Sequence, residues 1–397
     1  MRRIRAKLLL EAISKTGYPV LRCVRFAHLL RMNSVPVHPE QSRRSRERRR
    51  ADGKAFLIWL LLILFAPLSV LVAQKVGTTS LQFLKVMPTA RATAMGDAFG
   101  TLASGADAVF WNPAGIAESK GIEITATFTK WLFDSRQEAA AVLVPLEPWG
   151  TIAFQLQYVD YGTIEVTRVD QLQFIGSGND AHYNPGLTGE TFSPSTYLIG
   201  VTFAKQLTDK FSTGASVKLV NESLWGSSSA TVIGSNGVPE KVNTFARLVL
   251  FDFGMHYNTG YRTIRVGVSV QNFGSQVKFA KESYPAPLAF RIGTAADLLG
   301  VNALLGESGE SRLTAAYDLF QPNDYTQQMH VGLEYAFTDV FFLRAGYKIN
   351  YDIDNLTFGG GVCYPIGGVP LTIDYSYGNM GEYLPSVHRI SLGVQFK

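Results

Sequence analysis

The residues that could do chemistry are few and scattered. His182, His256, His330 and His388 follow the N-terminal 73 residues. None sits at a metal-ligand spacing and there is no HExxH, so the sequence proposes no metal site and no cofactor. Asp252 and His256 are four apart and share one face of an extended segment; with the chain's many serines, a hydrolase at a barrel rim is conceivable. The simpler reading is a polar pair with no catalytic role. Gly359, Gly360 and Gly361 have no helix after them, which argues against a phosphate loop. The remaining candidates are an Asn-Pro-Ala-Gly turn at 112–115 and charges set in otherwise alternating segments: Arg247, Asp252, Arg265, Glu334, Arg344, Asp374 and Arg389. Unpaired buried charges are costly. The expectation is therefore a network among these charges, with Asp97 or Asp107 as partners.

The elements that must position these residues read as strands. In 371–377, Leu371, Ile373, Tyr375 and Tyr377 alternate with Thr372, Asp374 and Ser376. The same period of two recurs in 151–158, 264–271, 343–349 and 389–396. The polar face mixes Gly, Ser, Thr and Gln with occasional charges, whereas a water-facing surface would carry mainly Lys and Glu. With 25 Phe, 17 Tyr, 5 Trp and 37 Gly, this composition suits β-structure. Fourteen such segments are readable between 122 and 396, an even number. Mostly short turns alternate with long connections at 161–193, 224–243 and 274–285. That asymmetry fits an outer-membrane barrel with an apolar outside and a crowded polar inside. One further stretch, 163–168, has strand character but is assigned to the first long loop, and 299–310 is long for a turn. Phe396 closes the last strand as an aromatic assembly signal, although Lys397 follows it.

The N-terminal end differs. Residues 43–54 are RRSRERRRADGK, followed by the apolar run 55–73. This is the layout of an export signal, with cleavage expected after Ala73. An uncleaved membrane helix is the alternative, and translation could start at Met1 or Met32. The formal net charge of +5 misleads about partners: of 37 Lys/Arg and 32 Asp/Glu, residues 1–73 hold 15 and 4, leaving 22 against 28, a net of −6. Such a surface does not suit nucleic acid. Of the two cysteines, only Cys363 lies beyond residue 73, so no internal disulfide is expected there.

Residues 74–121 form a third region rich in small residues. Gly96 and Gly100 are four apart, a spacing that on a helix permits close backbone approach, and Asp107 precedes the short apolar run to Trp111. Asn112, Pro113 and Gly115 then make a turn. The expectation is a compact plug (74–121) inside a barrel (122–397), behind a leader (1–73).

The run FLKV–ARATAMGDAFGTLASGADAVFWNPAGIA resembles the start of the PorV/PorQ family of outer-membrane proteins, and the wider FadL-like group shares the NPAG turn. DYGTIEVT (160–167), LTDKFSTGASVKLV (207–220), the stretch 251–274 and FRIGTAADLL (290–299) extend the resemblance over about 80–397. It implies an all-β fold, a 14-stranded antiparallel barrel with a luminal plug. It also implies a non-enzymatic role in protein export or surface attachment of the type IX secretion kind. Membrane lipid, the barrel assembly machinery, secretion components and exported cargo would be its partners. The FadL-like alternative is a channel for hydrophobic small molecules such as long-chain fatty acids.

Overall fold

A computed structural model describes residues 77–226, 229–233, 238–279 and 282–396. The leader, the signal and the cut after Ala73 lie outside the described residues.

Strands β1 (Ile122–Lys130), β2 (Arg136–Leu146) and β3 (Gly150–Asp160) open the wall. A hairpin of β4 (Ile164–Ile175) and β5 (His182–Phe192) follows, then wall strands β6 (Ser195–Thr208) and β7 (Phe211–Ser223). A second hairpin, β8 (Ser229–Ile233) with β9 (Pro239–Asn243), precedes β10 (Phe245–Asn258) and β11 (Arg265–Gly274). A short pair, β12 (Val277–Phe279) and β13 (Glu282–Tyr284), leads to β14 (Ala289–Leu299) and β15 (Ser311–Pro322). The wall ends with β16 (Gln328–Phe337), β17 (Phe341–Ile349), β18 (Leu356–Ile366), β19 (Val369–Gly378) and β20 (Val387–Phe396). Fourteen of these strands form one closed antiparallel barrel, sealed where β1 pairs with β20 from Ile122↔Phe396 to Lys130↔His388. The fourteen expected segments are these fourteen strands. The stretch 163–168 is indeed extended, as part of β4, but β4 pairs only with β5, outside the wall. The even count survives because the extra strands come as hairpins.

Alternation decides which way each side chain points. In β6, Thr196, Leu198, Thr202 and Ala204 are buried, while Ile199, Val201 and Phe203 are exposed on the outside. In β19, Ile373 and Tyr375 face out and Asp374 and Ser376 face in. Arg247 is the exception to the expected charge set. In β10 the inward residues are the even ones, Ala246 through Gly254, so Arg247 points outward, against the Phe245 ring at 5.7 Å. A period of two cannot turn both Arg247 and Asp252 to one face.

Short helices and turns of the N-terminal region fill the lumen. They are a 3-10 turn at Gln82–Lys85, α1 (Ala90–Ala94), a 3-10 turn at Gly105–Asp107, α2 (Ala108–Trp111) and a 3-10 stretch at Pro113–Glu118. Ala92, Met95, Phe99, Val109, Trp111 and Ile116 form the plug's core, packed against Ala141, Leu143, Ala153, Ala204 and Ala316 of the wall. Small wall residues leave the volume that these larger plug side chains fill. Gly96 and Gly100 do not share a helix, because α1 stops at Ala94. Each lies in a turn and approaches a different part of the wall.

Candidate functional site

The site is the interface between plug and wall, built on the NPAG turn, a charge network and an apolar compartment. Asn112 caps the stretch after it. Its Oδ1 accepts a hydrogen bond from Ala114 N at 3.1 Å, and Pro113 occupies the first turn, where a missing N–H costs nothing. Its Nδ2 donates to Gly100 O at 2.9 Å. The wall admits this turn because Gly214 and Gly254 lack side chains: a Cβ on Gly254 would lie 2.0 Å from Asn112 Oδ1. Gly115 lies against Ala103 O with the same lack of room. His256 Nε2 lies 2.9 Å from Gly100 O, and Gln271 Nε2 donates to Phe110 O at 2.8 Å. The plug's free backbone carbonyls are thus met by wall side chains, as buried polar groups require. Trp111 is anchored through Nε1 to Thr89 Oγ1 at 2.9 Å, edge-on to Phe99, with the Arg291 guanidinium 5.3 Å from its ring.

Charge pairs tie plug to wall. Glu334 on β16 bridges Arg91 of the plug at 2.9 Å and Arg344 of β17 at 2.8 Å, and Arg344 continues to Asp374 at 2.6 Å. Asp97 pairs with Lys348 at 2.7 Å, which also holds Asp354 of an outer loop at 2.6 Å. Burial opposes the charge on Asp97, but the charge and hydrogen bond of Lys348, with the neighbouring His330 and Arg291, together outweigh it and hold the carboxyl below its usual range. Arg291 pairs with Asp318 at 3.2 Å, and Asp318 also accepts the N–H groups of Phe99 and Gly100. Arg265 lies 3.7 Å from Asp297. Arg389 has no ion pair among the described residues; it lies 5.5 Å from the Trp131 ring.

Of the expected charges, Glu334, Arg344 and Asp374 meet in one network, while Asp97 pairs with Lys348, outside that set. The sequence reading missed Arg91, Lys348, Arg291 and Asp318, which carry as many contacts. Lys348, Arg291 and Asp318 were legible as charges at inward positions of alternating strands. Arg91 was not, since a five-residue helix gives no face to read.

Asp107 has no ion pair among the described residues. Burial, with Asp374 and Glu123 nearby, pushes its carboxyl up to about 6, against a hydrogen bond from Thr125 and the charge of Arg91. It lines a cavity of about 530 Å³ at the short-turn end of the barrel, with Arg91, Glu118, Lys120 and Glu123. Asp252 is held by Lys218 at 2.7 Å and by Asn272 N, so it does not orient His256, and the Asp–His geometry a hydrolase needs is not formed. Phe396 is the last wall residue described, opposite Ile122.

Toward the long-loop end the lumen wall turns apolar. Val159, Leu198, Val220, Ala246, Leu248 and Leu250, from β3, β6, β7 and β10, face inward and are covered by Leu81, Phe83 and Leu84 of the first plug turn. This strap is latched from outside: Asp324, between β15 and β16, accepts from Thr79 Oγ1 at 2.5 Å and pairs with Lys85. A small void of about 20 Å³ continues from the compartment between Leu84, Phe110, Leu198 and Lys218.

No family model matches the chain, and no curated protein does. Solved structures similar to it include the Pseudomonas putida toluene transporter TodX (14% identity, TM-score 0.47, 76% of this chain and 96% of that one). The Ralstonia pickettii toluene transporter TbuX is similar at 14% identity and TM-score 0.45, over 77% and 96% of the two chains. A Pseudomonas aeruginosa FadL homologue is similar at 12% identity and TM-score 0.43, over 78% and 98%.

Proposed function

We propose that this protein is an outer-membrane barrel that admits hydrophobic small molecules through its plugged lumen. The membrane placement rests on the outer face. Phe154, Ile199, Val201, Val217, Phe253, Leu333 and Ile390 are exposed there, on strands of about the length that crosses a bilayer. In water, an apolar belt of this extent would aggregate.

The observation that carries the transport reading is the apolar compartment. Val159, Leu198, Val220, Leu248 and Leu250 form an inward apolar surface that the short plug segment of Leu81, Phe83 and Leu84 covers. A hydrophobic ligand takes the volume that Leu81, Phe83 and Leu84 fill, since it replaces the apolar contacts they make. The similar structures, toluene transporters and a FadL homologue, are in keeping with this substrate class.

The test is uptake of labelled oleate and labelled toluene by a strain that lacks its own transporters and expresses this chain. Leu198→Gln and Leu248→Gln lower uptake while the barrel still folds. Uptake equal to that of the empty strain would sink the reading.

Protein export, which the PorV/PorQ resemblance implies, stands second. What favours it is the pair of hairpins β4–β5 and β8–β9, which pair with no wall strand. The first exposes Val169, Phe174 and Tyr183. A two-stranded sheet alone is only marginally stable, so a surface partner would give it support. A deletion strain with unaltered surface protein display would remove this reading.

A further inference from the structure

A groove of about 420 Å³ crosses the outer face of β20, β1, β2 and β3. Its floor is Ala126 and Ala140, which face each other across β1 and β2. Leu392 lies beyond Ala126, and Leu156 lies beyond Ala140. Adjacent strands are about 4.8 Å apart, so two alanines side by side leave room for a hydrocarbon chain between the leucines. Ile390 and Tyr158 continue the two sides toward the long-loop end. Leu156, Tyr158, Ile390 and Leu392 all remain exposed, so no described part of the chain covers the groove. It opens onto the apolar belt, where the surrounding medium is hydrocarbon, and its occupant therefore comes from the membrane.

Two outward rows lie above the alanines, toward the long-loop end. The first is Ile390, Phe128, Glu138 and Tyr158; the second is His388, Lys130, Arg136 and Asp160. Arg136 pairs with Asp160 at 2.8 Å, so those two charges cancel, and His388 Nδ1 lies 2.7 Å from Tyr375 Oη. Lys130 and Glu138, diagonal to each other in the ladder and both exposed, have no ion pair among the described residues. A carboxylate on the membrane face between Phe128 and Tyr158 is costly unless a donor meets it. Successive rows are two residues apart, about 7 Å along the strand. From the groove outward the order is therefore an apolar channel, an unmet acceptor and an unmet cation.

We propose that this groove binds one phosphorylated N-acyl lipid of the surrounding membrane. The acyl chain lies over Ala126 and Ala140, the amide N–H or a backbone hydroxyl donates to Glu138, and the phosphate accepts from Lys130, a charge-assisted hydrogen bond. The site rests on the membrane placement of the barrel and is independent of what the lumen carries. A diacylglycerol phosphate offers only ester oxygens at the depth of Glu138 and leaves the carboxylate unmet. A neutral N-acyl lipid satisfies Glu138 and leaves Lys130 unmet. The two levels together select a lipid that carries a donor between its chain and its phosphate.

The experiment is native mass spectrometry of the purified full-length barrel in nonionic detergent, with ceramide 1-phosphate, ceramide and phosphatidic acid of matched chain lengths as probes. Wild type retains one ceramide 1-phosphate, about tenfold tighter than either other lipid, as one charge-assisted hydrogen bond allows. Lys130→Gln brings ceramide 1-phosphate down to the affinity of ceramide, and Glu138→Leu brings it down to that of phosphatidic acid. Ala126→Leu with Ala140→Leu fills the groove from the outside, touches no plug residue and abolishes retention of all three. Retention that survives the filled groove, or equal affinities for the three lipids in wild type, overturns the site. A second copy of the chain in place of lipid, lost on filling the groove, overturns it in favour of self-association. No retained lipid on a barrel that needs detergent overturns the groove site alone; a barrel that stays soluble without detergent overturns the membrane placement as well.

Discussion

Gly346 of β17 meets Gly96 of the plug backbone to backbone: a Cβ on Gly346 would fall 2.0 Å from the Gly96 amide nitrogen. Gly96 itself has φ +64°, a conformation that glycine adopts at no steric cost. Gly332 and Gly359, on the neighbouring strands, face Met95 and Ala94 in the same way. Gly346→Ala should push the plug off the wall and destabilise the barrel by about 1–3 kcal/mol, the usual cost of overpacking. Gly393→Ala is the control, since its nearest neighbour is 3.7 Å away and a methyl there is tolerated. Urea unfolding of both variants checks this; equal midpoints would show that the plug does not need the close approach.

Glu334 carries two guanidinium partners on two different elements. Replacing it with a neutral residue leaves Arg91 without its ion pair and Arg344 with Asp374 alone. Glu334→Gln should cost about 3–5 kcal/mol. It should also raise hydrogen exchange across α1, which Arg91 no longer holds. Unchanged exchange there would mean that packing alone seats the helix.

Asp107 sets a pH dependence with a definite sign. Its carboxyl is pushed up to about 6 by burial and by the carboxylates of Asp374 and Glu123, above its ordinary value of 3.8. The folded state therefore prefers the protonated form. Stability from this group is complete below about pH 4 and is lost as pH rises through 6. Relative to Asp107→Asn, wild type should lose thermal stability between pH 4.5 and 7.5. Parallel pH profiles for the two proteins would rule this out.

Asp324 latches the strap through Thr79 and Lys85 while its own carboxylate is almost fully buried. With the latch removed in Asp324→Asn, the strap covers the apolar compartment less of the time. Uptake of labelled toluene should rise severalfold, about the effect of 1 kcal/mol on an opening equilibrium. A fall in uptake would indicate that the strap positions the ligand rather than excluding it.

Val201 is exposed on the outer face midway along β6, and Val201→Arg tests what that face touches. At the centre of a bilayer the change costs about 2–4 kcal/mol; on a water-facing sheet it would cost almost nothing. Folding into liposomes against folding in detergent separates the two.

The sequence by itself determined the wall. Each strand's two faces are written in a period of two, and hydrophobic and polar positions keep their sides whatever the strand's neighbours are. The even count, the long and short connections and the inward placement of Glu334, Arg344, Asp374 and Arg389 all follow from that local rule. Arg247 went astray only where the parity within β10 was not carried from residue 252 back to 247. Tertiary structure alone decided how the lumen is filled. Among the described residues the plug has no α-helix longer than five residues, so it has no periodicity from which a face could be read. Which glycines it touches, and that Lys348 rather than another inward cation holds Asp97, depend on closing β1 onto β20. That closure brings residues more than 250 positions apart into one row, and no local pattern encodes such a distance.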